Sequence, residues 1–350
     1  GAARKARGMT RRKAKIANVQ RSVEIEGADT VLQAALSSGI DYPHGCKSGR
    51  CGSCKSRLIE GSVSLLKHTR FALSDEEKAA GLILACRAVP ESDLTVAWLD
   101  EDEARAEHPL RRETAEVIDV AAATHDIRVL RLRLPGERLV FSAGQYATLT
   151  APGAPPRDYS MANPPGADHL EFHIRRVPDG ATSQVIHGLQ VGDRVEIEGP
   201  RGAAHLRPLH AGPMLAVAGG SGLAPILSIL ASAIDLGMRQ PIRVYLGARE
   251  ERDLYGRELL DDLAAQHGDL TVTPVLSNAD GQTKRRIGFV HQAVAEDLPD
   301  LDGWKCYTAG PPAMIDALTE TALGAGLRQE DLHADAFFTP EASADAAAQA

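Results

Sequence analysis

Four cysteines set the first constraint on this chain. Cys46, Cys51 and Cys54 follow the pattern Cys-x4-Cys-x2-Cys in the loop PHGCKSGRCGSCK (43–55), and 31 residues separate Cys54 from Cys86. The only other cysteine is Cys306. An odd count clustered in this way is wrong for a secreted disulfide framework and suits thiolates that hold metal in a reducing compartment. Gly45, Gly49 and Gly52 punctuate the loop. They let the backbone take positive φ and bring N–H groups close to sulfur. Four thiolates suit zinc or an iron–sulfur cluster. Structural zinc sites usually pair two short cysteine hairpins, and Cys86 stands alone, so the spacing favours a [2Fe–2S] cluster.

Over residues 16–99 the chain resembles the plant-type ferredoxins, whose cluster spacing this is. The resemblance implies a small α+β domain of β-grasp form. Locally, residues 18–26 (NVQRSVEIE) read as a strand, and Asp29 is the expected cap of a helix over Thr30–Ser38 that Gly39 closes. Lys47, Arg50, Lys55 and Arg57 flank the cysteines. They either offset the anionic cluster or form a basic rim that docks an acidic partner.

Net charge is −8, yet residues 1–15 hold seven Lys or Arg and no acid. That segment is expected to be a disordered basic tail, and 341–350 a second loose end. The remaining residues are acidic on balance, which argues against nucleic-acid binding. No apolar run is long enough to span a membrane, and no secretory leader is evident. The expectation is a cytoplasmic protein with no membrane or nucleic-acid partner. Residues 100–110, charged and ending near Pro109, read as a linker.

Beyond the linker, ETAEVIDVAAAT, IRVLRLRLP, QYATLTAP and RVEIEGP are short alternating segments between Gly and Pro turns. They predict an antiparallel β-barrel over 111–208. Within it stand Arg157-Asp-Tyr-Ser160 and the segment LEFHIRRVPDGATSQVI. Here the chain resembles the ferredoxin–NADP reductase superfamily, whose flavin fingerprint is R-x-Y-S. The resemblance implies that Arg157 pairs with a flavin phosphate, Tyr159 packs on the isoalloxazine and Ser160 bonds near N5 in hydride transfer. It also places His173, Ile174 and Arg175 on a strand bordering the flavin, and Gly180, Thr182 and Ser183 at a pyrophosphate loop, which favours FAD. Read as local structure alone, His173 is a strand histidine facing solvent, and Thr182 and Ser183 cap a helix.

Residues 213–217 (PMLAV) predict a buried strand, followed by AGGSGLAPI, a helix near 224–236 and the strand IRVYLGAR. This is a βαβ unit with a glycine-rich turn that lets backbone approach phosphates. The Rossmann spacing G-x-G-x-x-G is absent. Instead Gly219, Gly220, Ser221 and Gly222 match the superfamily's G-G-x-G-x-x-P element, so a Rossmann-like α/β domain over 209–340 is expected. In CYTAGPPAMI, Ala309 replaces the element's usual cysteine, while Gly310, Pro311 and Met314 keep their positions. Cys306 is therefore not assigned a nicotinamide role. Arg249 either approaches the cofactor's ribose or phosphate, or is a solvated loop residue. In the final segment HADAFF, Asp335, Phe337 and Phe338 either approach the flavin or pack the core.

The whole reads as a multidomain α+β / β / α/β chain: ferredoxin, flavin barrel and nucleotide domain in that order. This order resembles the reductase components of bacterial ring-hydroxylating oxygenases, with RDYSMANPP and HADAFF most similar to the terephthalate type. The implied path runs from NADH to FAD to the cluster and then to a terminal oxygenase. Glu250 and Glu251 after IRVYLGAR favour NADH by repelling a 2′-phosphate. Alternatives are a reductase for a diiron monooxygenase or for sugar deoxygenation, or a module that only carries electrons.

Overall fold

The computed structural model describes residues 11–44, 47, 49, 52, 54–68, 72–99, 108–279 and 282–337. The chain divides into two compact units, which among the described residues hold 11–99 and 108–337.

In the first unit, β1 (Arg11–Ile16), β2 (Arg21–Glu26), α1 (Val31–Ser37), β3 (Lys55–Glu60), β4 (Val63–Leu65), α2 (Asp75–Ala79), β5 (Leu82–Leu84), β6 (Ala88–Pro90) and β7 (Leu94–Trp98) follow in order. The main sheet runs β2-β1-β7-β3-β5, with β1 and β7 parallel, while β4 and β6 pair separately. This is the β-grasp form: Val31, Leu32, Ala34 and Ala35 of α1 are buried in one core with Ile16, Tyr42, Val96 and Trp98.

Two local expectations need correction. The basic tail does not reach residue 15, because Arg11–Ile16 is strand. Alternation buries Ala14 and Ile16, and Arg11 pairs outward with Glu24 and Glu26. The strand expected over 18–26 starts only at Arg21, after a turn in which Gln20 takes a left-handed φ of 52°. Thr30, not Asp29, caps α1. Its Oγ1 accepts from the Gln33 N–H, and Gln33 Oε1 accepts from the Thr30 N–H. That reciprocal pair satisfies two orphan donors at once, which an acid one position earlier does not.

The second unit opens with the barrel strands β8 (Arg111–Ala122), β9 (Ile127–Arg133), β10 (Tyr146–Thr150), β11 (Arg157–Ser160) and β12 (Leu170–Arg175), then α3 (Ala181–His187) and β13 (Arg194–Arg201). Their order is β11-β10-β13-β8-β9-β12, and a Met161–Phe172 bridge links the ends of the first and last strands, nearly closing the sheet. Alternate residues Val117, Leu130, Leu132, Leu149, Phe172 and Ile174 fill the interior.

The nucleotide lobe has β14 (Met214–Gly219), α4 (Leu223–Asp235), β15 (Ile242–Ala248), α5 (Arg257–His267), β16 (Leu270–Leu276), β17 (Arg286–Ile287), α6 (Val290–Asp297), β18 (Lys305–Gly310), α7 (Pro312–Gly324) and β19 (Leu332–Ala336). All are parallel, in the order β17-β16-β15-β14-β18-β19. β14 is central and every residue in it is buried, which is why its sequence is continuously apolar rather than alternating. Among the described residues no helix is long and apolar enough to cross a membrane.

On the barrel surface, Arg131 bridges Asp119 (2.6 Å) and Glu171 (2.7 Å), and His173 Nε2 lies 3.1 Å from Glu171. Burial alone would raise the Glu171 pKa, but hydrogen bonds from His173 and Arg131 hold it down at about 2. A carboxyl depressed on folding stabilises the protein above its unfolded value and loses that contribution as pH falls. Urea unfolding of Glu171→Gln should therefore show a deficit of about 2–3 kcal/mol at pH 7 that shrinks as pH drops from about 4.5 toward 2. A deficit independent of pH would mean that Glu171 acts by packing alone.

Candidate functional site

In the first unit, β3 begins immediately after Cys54, and β5, ending at Leu84, leads into Cys86. Both cysteines are buried, and the Cys86 N–H points at Cys54 Sγ (3.5 Å). The Ala85 N–H donates to the Cys54 carbonyl at 3.0 Å, so backbone pairing fixes how far apart the two thiols stand. Cys46, Cys51 and Arg50 lie outside the described residues. Gly49 has φ +75°, and a Cβ there would lie 2.8 Å from the side chains of Arg87 and His68. Only glycine fits this combination of handedness and crowding. Two buried thiols with a backbone N–H already aimed at one sulfur suit a ligand that accumulates negative charge.

Of the basic residues beside the cysteines, Lys47 and Arg57 are exposed. Lys55 is not: its side chain is 8% exposed and its ammonium meets Glu77 at 2.6 Å. It is removed from the expected basic rim, because its position in β3 turns it into the fold.

In the second unit, Ser160, at the end of β11, donates to Asp335 Oδ2 of β19 at 2.6 Å. This bond joins the barrel to the last strand of the nucleotide lobe across 175 residues. Tyr159 is half-buried, and burial pushes its phenol up to about 12. Arg157 is exposed and bonds only the adjacent Pro156 carbonyl among the described contacts. On β12, His173 is buried instead of facing solvent. Its Nδ1 lies 2.9 Å from the Tyr255 hydroxyl, which is also 3.4 Å from the Gly220 carbonyl oxygen. Ile174 points the other way, into the barrel core, so its side chain does not border any site on the His173 face. Strand alternation forces that outcome.

Arg175, on the same face as His173, reaches the glycine turn after β14. A Cβ at Gly220 would come within 2.8 Å of its Nη1. Its Nε is 3.0 Å from Asp126 but misaligned, and is left buried without a hydrogen-bond partner. The Arg175 Nη1, beside a glycine turn of φ +57°, places a cation where an anionic group such as a pyrophosphate can be met. At Gly180–Ser183, Thr182 Oγ1 donates to the Pro155 carbonyl (2.7 Å) and Ser183 Oγ accepts from the Val177 N–H (3.0 Å). Both hydroxyls therefore brace the loop.

Parallel pairing of β14 with β18 brings the two remaining motifs together. A Cβ on Gly222 would lie 2.1 Å from the Ala309 carbonyl oxygen, and one on Gly219 would lie 2.7 Å from Met314 Sδ and 2.9 Å from Pro311 Cδ. Gly310 takes φ +146° beside Gly219, and its carbonyl accepts from the Phe337 N–H at 2.9 Å. Phe337 is half-buried there, while Phe338 lies outside the described residues. Cys306 sits opposite Leu215 near the other end of β18, fully buried, its thiol pushed up to about 12 by desolvation.

Arg249 is not a loose loop arginine. It is held by Asp253 (2.9 Å), which is itself buried, and approaches Asp126 at 3.6 Å. Glu171, Tyr255, Asp126 and Asp253 were not legible as site residues. They are single polar residues far apart in sequence, and only the fold brings them against His173, Arg175 and Arg249.

Three family models match the chain. Residues 14–91 match the 2Fe-2S iron-sulfur cluster binding domain, 114–206 the oxidoreductase FAD-binding domain and 216–320 the oxidoreductase NAD-binding domain. The chain is 39% identical to the ferredoxin–NAD(P)(+) reductase component of the naphthalene 1,2-dioxygenase system of Pseudomonas putida, covering 91% of this chain and 96% of that one. It is 37% identical to the reductase component of phenol 2-monooxygenase from Pseudomonas sp. strain CF600, covering 91% and 92%. Among solved structures, an Amycolatopsis cytochrome P450 reductase superposes with a TM-score of 0.72 at 37% identity, covering 93% and 98%. The chain thus belongs to the reductase components of oxygenase systems, oxidoreductases that join a [2Fe–2S] domain to FAD- and NAD-binding domains.

Proposed function

We propose that this reductase takes electrons from NADH and delivers them, one at a time, to a terminal ring-hydroxylating oxygenase. The Ser160–Asp335 bond carries the reading, because it ties the flavin fingerprint strand to the strand that ends beside Gly310. FAD, when bound, would supply the conversion of a two-electron hydride into single electrons, which a nicotinamide cannot make.

The chain's own residues define the rest. Arg157 is the exposed cation for the flavin phosphate, and Tyr159, kept neutral at working pH, is the ring that packs on the isoalloxazine. Ser160 has its proton committed to Asp335, so its oxygen can accept a hydrogen bond from N5–H of a reduced flavin and so favour the product of hydride transfer. His173 is held by Tyr255 and Glu171, and Arg175 offers its Nη1, beside Gly220, to a pyrophosphate. The braced loop at Gly180, Thr182 and Ser183 presents backbone to the flavin. The Gly219–Gly222 turn receives the dinucleotide, with Gly310, Pro311, Met314 and Phe337 around the nicotinamide. Arg249 is a seam residue in this scheme. Cys46, Cys51, Cys54 and Cys86 ligate the cluster, in keeping with a cytoplasmic, reducing setting.

The partner assignment is supported by the relative from a dioxygenase system. A relative from a phenol monooxygenase system supports a monooxygenase as the second reading. Reconstituting NADH-dependent turnover with each oxygenase class decides between them.

Ser160→Ala should lower NADH–ferricyanide kcat by roughly 10²-fold, the usual cost of one aligned polar group at a reacting centre; an unchanged kcat removes Ser160 from the hydride step. Cys86→Ser should abolish the cluster's visible bands and cytochrome c reduction while sparing ferricyanide reduction. Losing both activities together would make the cluster structural rather than a relay. Reversing Lys47 and Arg57 to Glu should slow delivery to the oxygenase and flatten its salt dependence. A rate and salt slope equal to wild type would place docking elsewhere.

A further inference from the structure

Beyond β15 and β16, the nucleotide lobe carries an open cleft of ≈ 670 Å³ lined by Glu251, Arg257, Gln282, Thr283, Lys284 and Arg285. It lies past the carboxyl ends of strands β15 and β16, which follow β14 in the sheet. Ligands of open parallel sheets sit at those ends. Two strand spacings carry a dinucleotide roughly 10 Å from the glycine turn, toward its adenosine half.

The lining is unexpected for an enzyme that takes NADH. Three of the six residues are cations and one is an acid. A basic cleft at the adenosine end is the environment that accommodates a 2′-phosphate. The arginines of this rim are, however, matched to acids. Glu251 Oε1 accepts from both Nε and Nη2 of Arg285 at 3.1 Å. Glu250 pairs with Arg252 at 2.8 Å, Asp253 with Arg249 at 2.9 Å and Asp261 with Arg257 at 3.4 Å. The acids after β15 therefore act on arginine partners rather than standing as bare charges.

We infer that Glu251 determines nucleotide choice by occupying Arg285, so that a latent phosphate-binding cleft is held closed to NADPH. The inference rests on the NADH reading above and adds its cause. Arg285 presents two nitrogens in a fork that a phosphate would otherwise take, and both are turned onto Glu251. Of the acids at this rim, Glu251 alone lines the cleft, so it is the one whose removal opens it.

The test is titration calorimetry of the full-length flavin-loaded protein with 2′,5′-ADP and 5′-AMP, with folding checked by circular dichroism. In Glu251→Gln, 2′,5′-ADP should bind roughly tenfold tighter than to wild type, 5′-AMP should bind as before, and the gain should weaken with salt. Adding Arg285→Gln to that variant should erase the gain. If Glu251→Gln binds 2′,5′-ADP no better than wild type, or if the double variant keeps the gain, the inference fails while the NADH reading stands. If the wild-type protein already prefers 2′,5′-ADP to 5′-AMP, both fail.

Discussion

The second unit depends on one close approach. At Gly222, three residues past the end of β14, the chain runs so near to β18 that a single methyl group would lie 2.1 Å from the Ala309 carbonyl oxygen. That contact lets α4 start against the neighbouring strand and puts Gly219 beside Gly310, Pro311 and Met314. Without it the two glycine elements, about ninety residues apart in the chain, would not share one end of the sheet. The barrel is then joined to the same place by Ser160 to Asp335, by His173 through Tyr255 to Gly220, and by Arg175 over the Gly220 turn. Hydride chemistry needs this convergence, because reacting atoms must be held at contact distance and in line.

The replacement of the superfamily's cysteine by Ala309 is consistent with that picture. Ala309 is buried and pairs with Ala218, so the position serves the β14–β18 contact. The one spare thiol, on Cys306, is near the far end of the strand, buried and held protonated. Positioning and polar alignment by Ser160 and Asp335 are left as the chain's own contribution to hydride transfer.

How much of this was legible beforehand depended on whether the signal was local. The cysteine spacing, the RDYS strand and the GGSG turn are contiguous, and each announces its chemistry through residue type and interval. The apolar run PMLAV likewise marked the strand that opens the βαβ unit. What was misread lay in residues whose role is set by distant partners. Lys55 looked like a rim charge until the fold placed Glu77 over it. Ile174 shared a motif with His173, yet strand alternation sends the two to opposite faces. Arg249 and the glutamates after it looked like free charges, but each is matched to a partner across the rim. Thr30 displaced Asp29 as the helix cap because Gln33 completes a reciprocal bond only with it.

The central claim is that electrons reach the cluster only through the flavin seated at this seam. It is tested most directly by mixing NADH anaerobically with protein stripped of flavin but retaining its cluster, and reading the cluster's reduction by electron paramagnetic resonance. The account predicts that the cluster stays oxidised until FAD is restored and is then reduced after the flavin band bleaches. Reduction of the cluster by NADH in the flavin-free protein would contradict it.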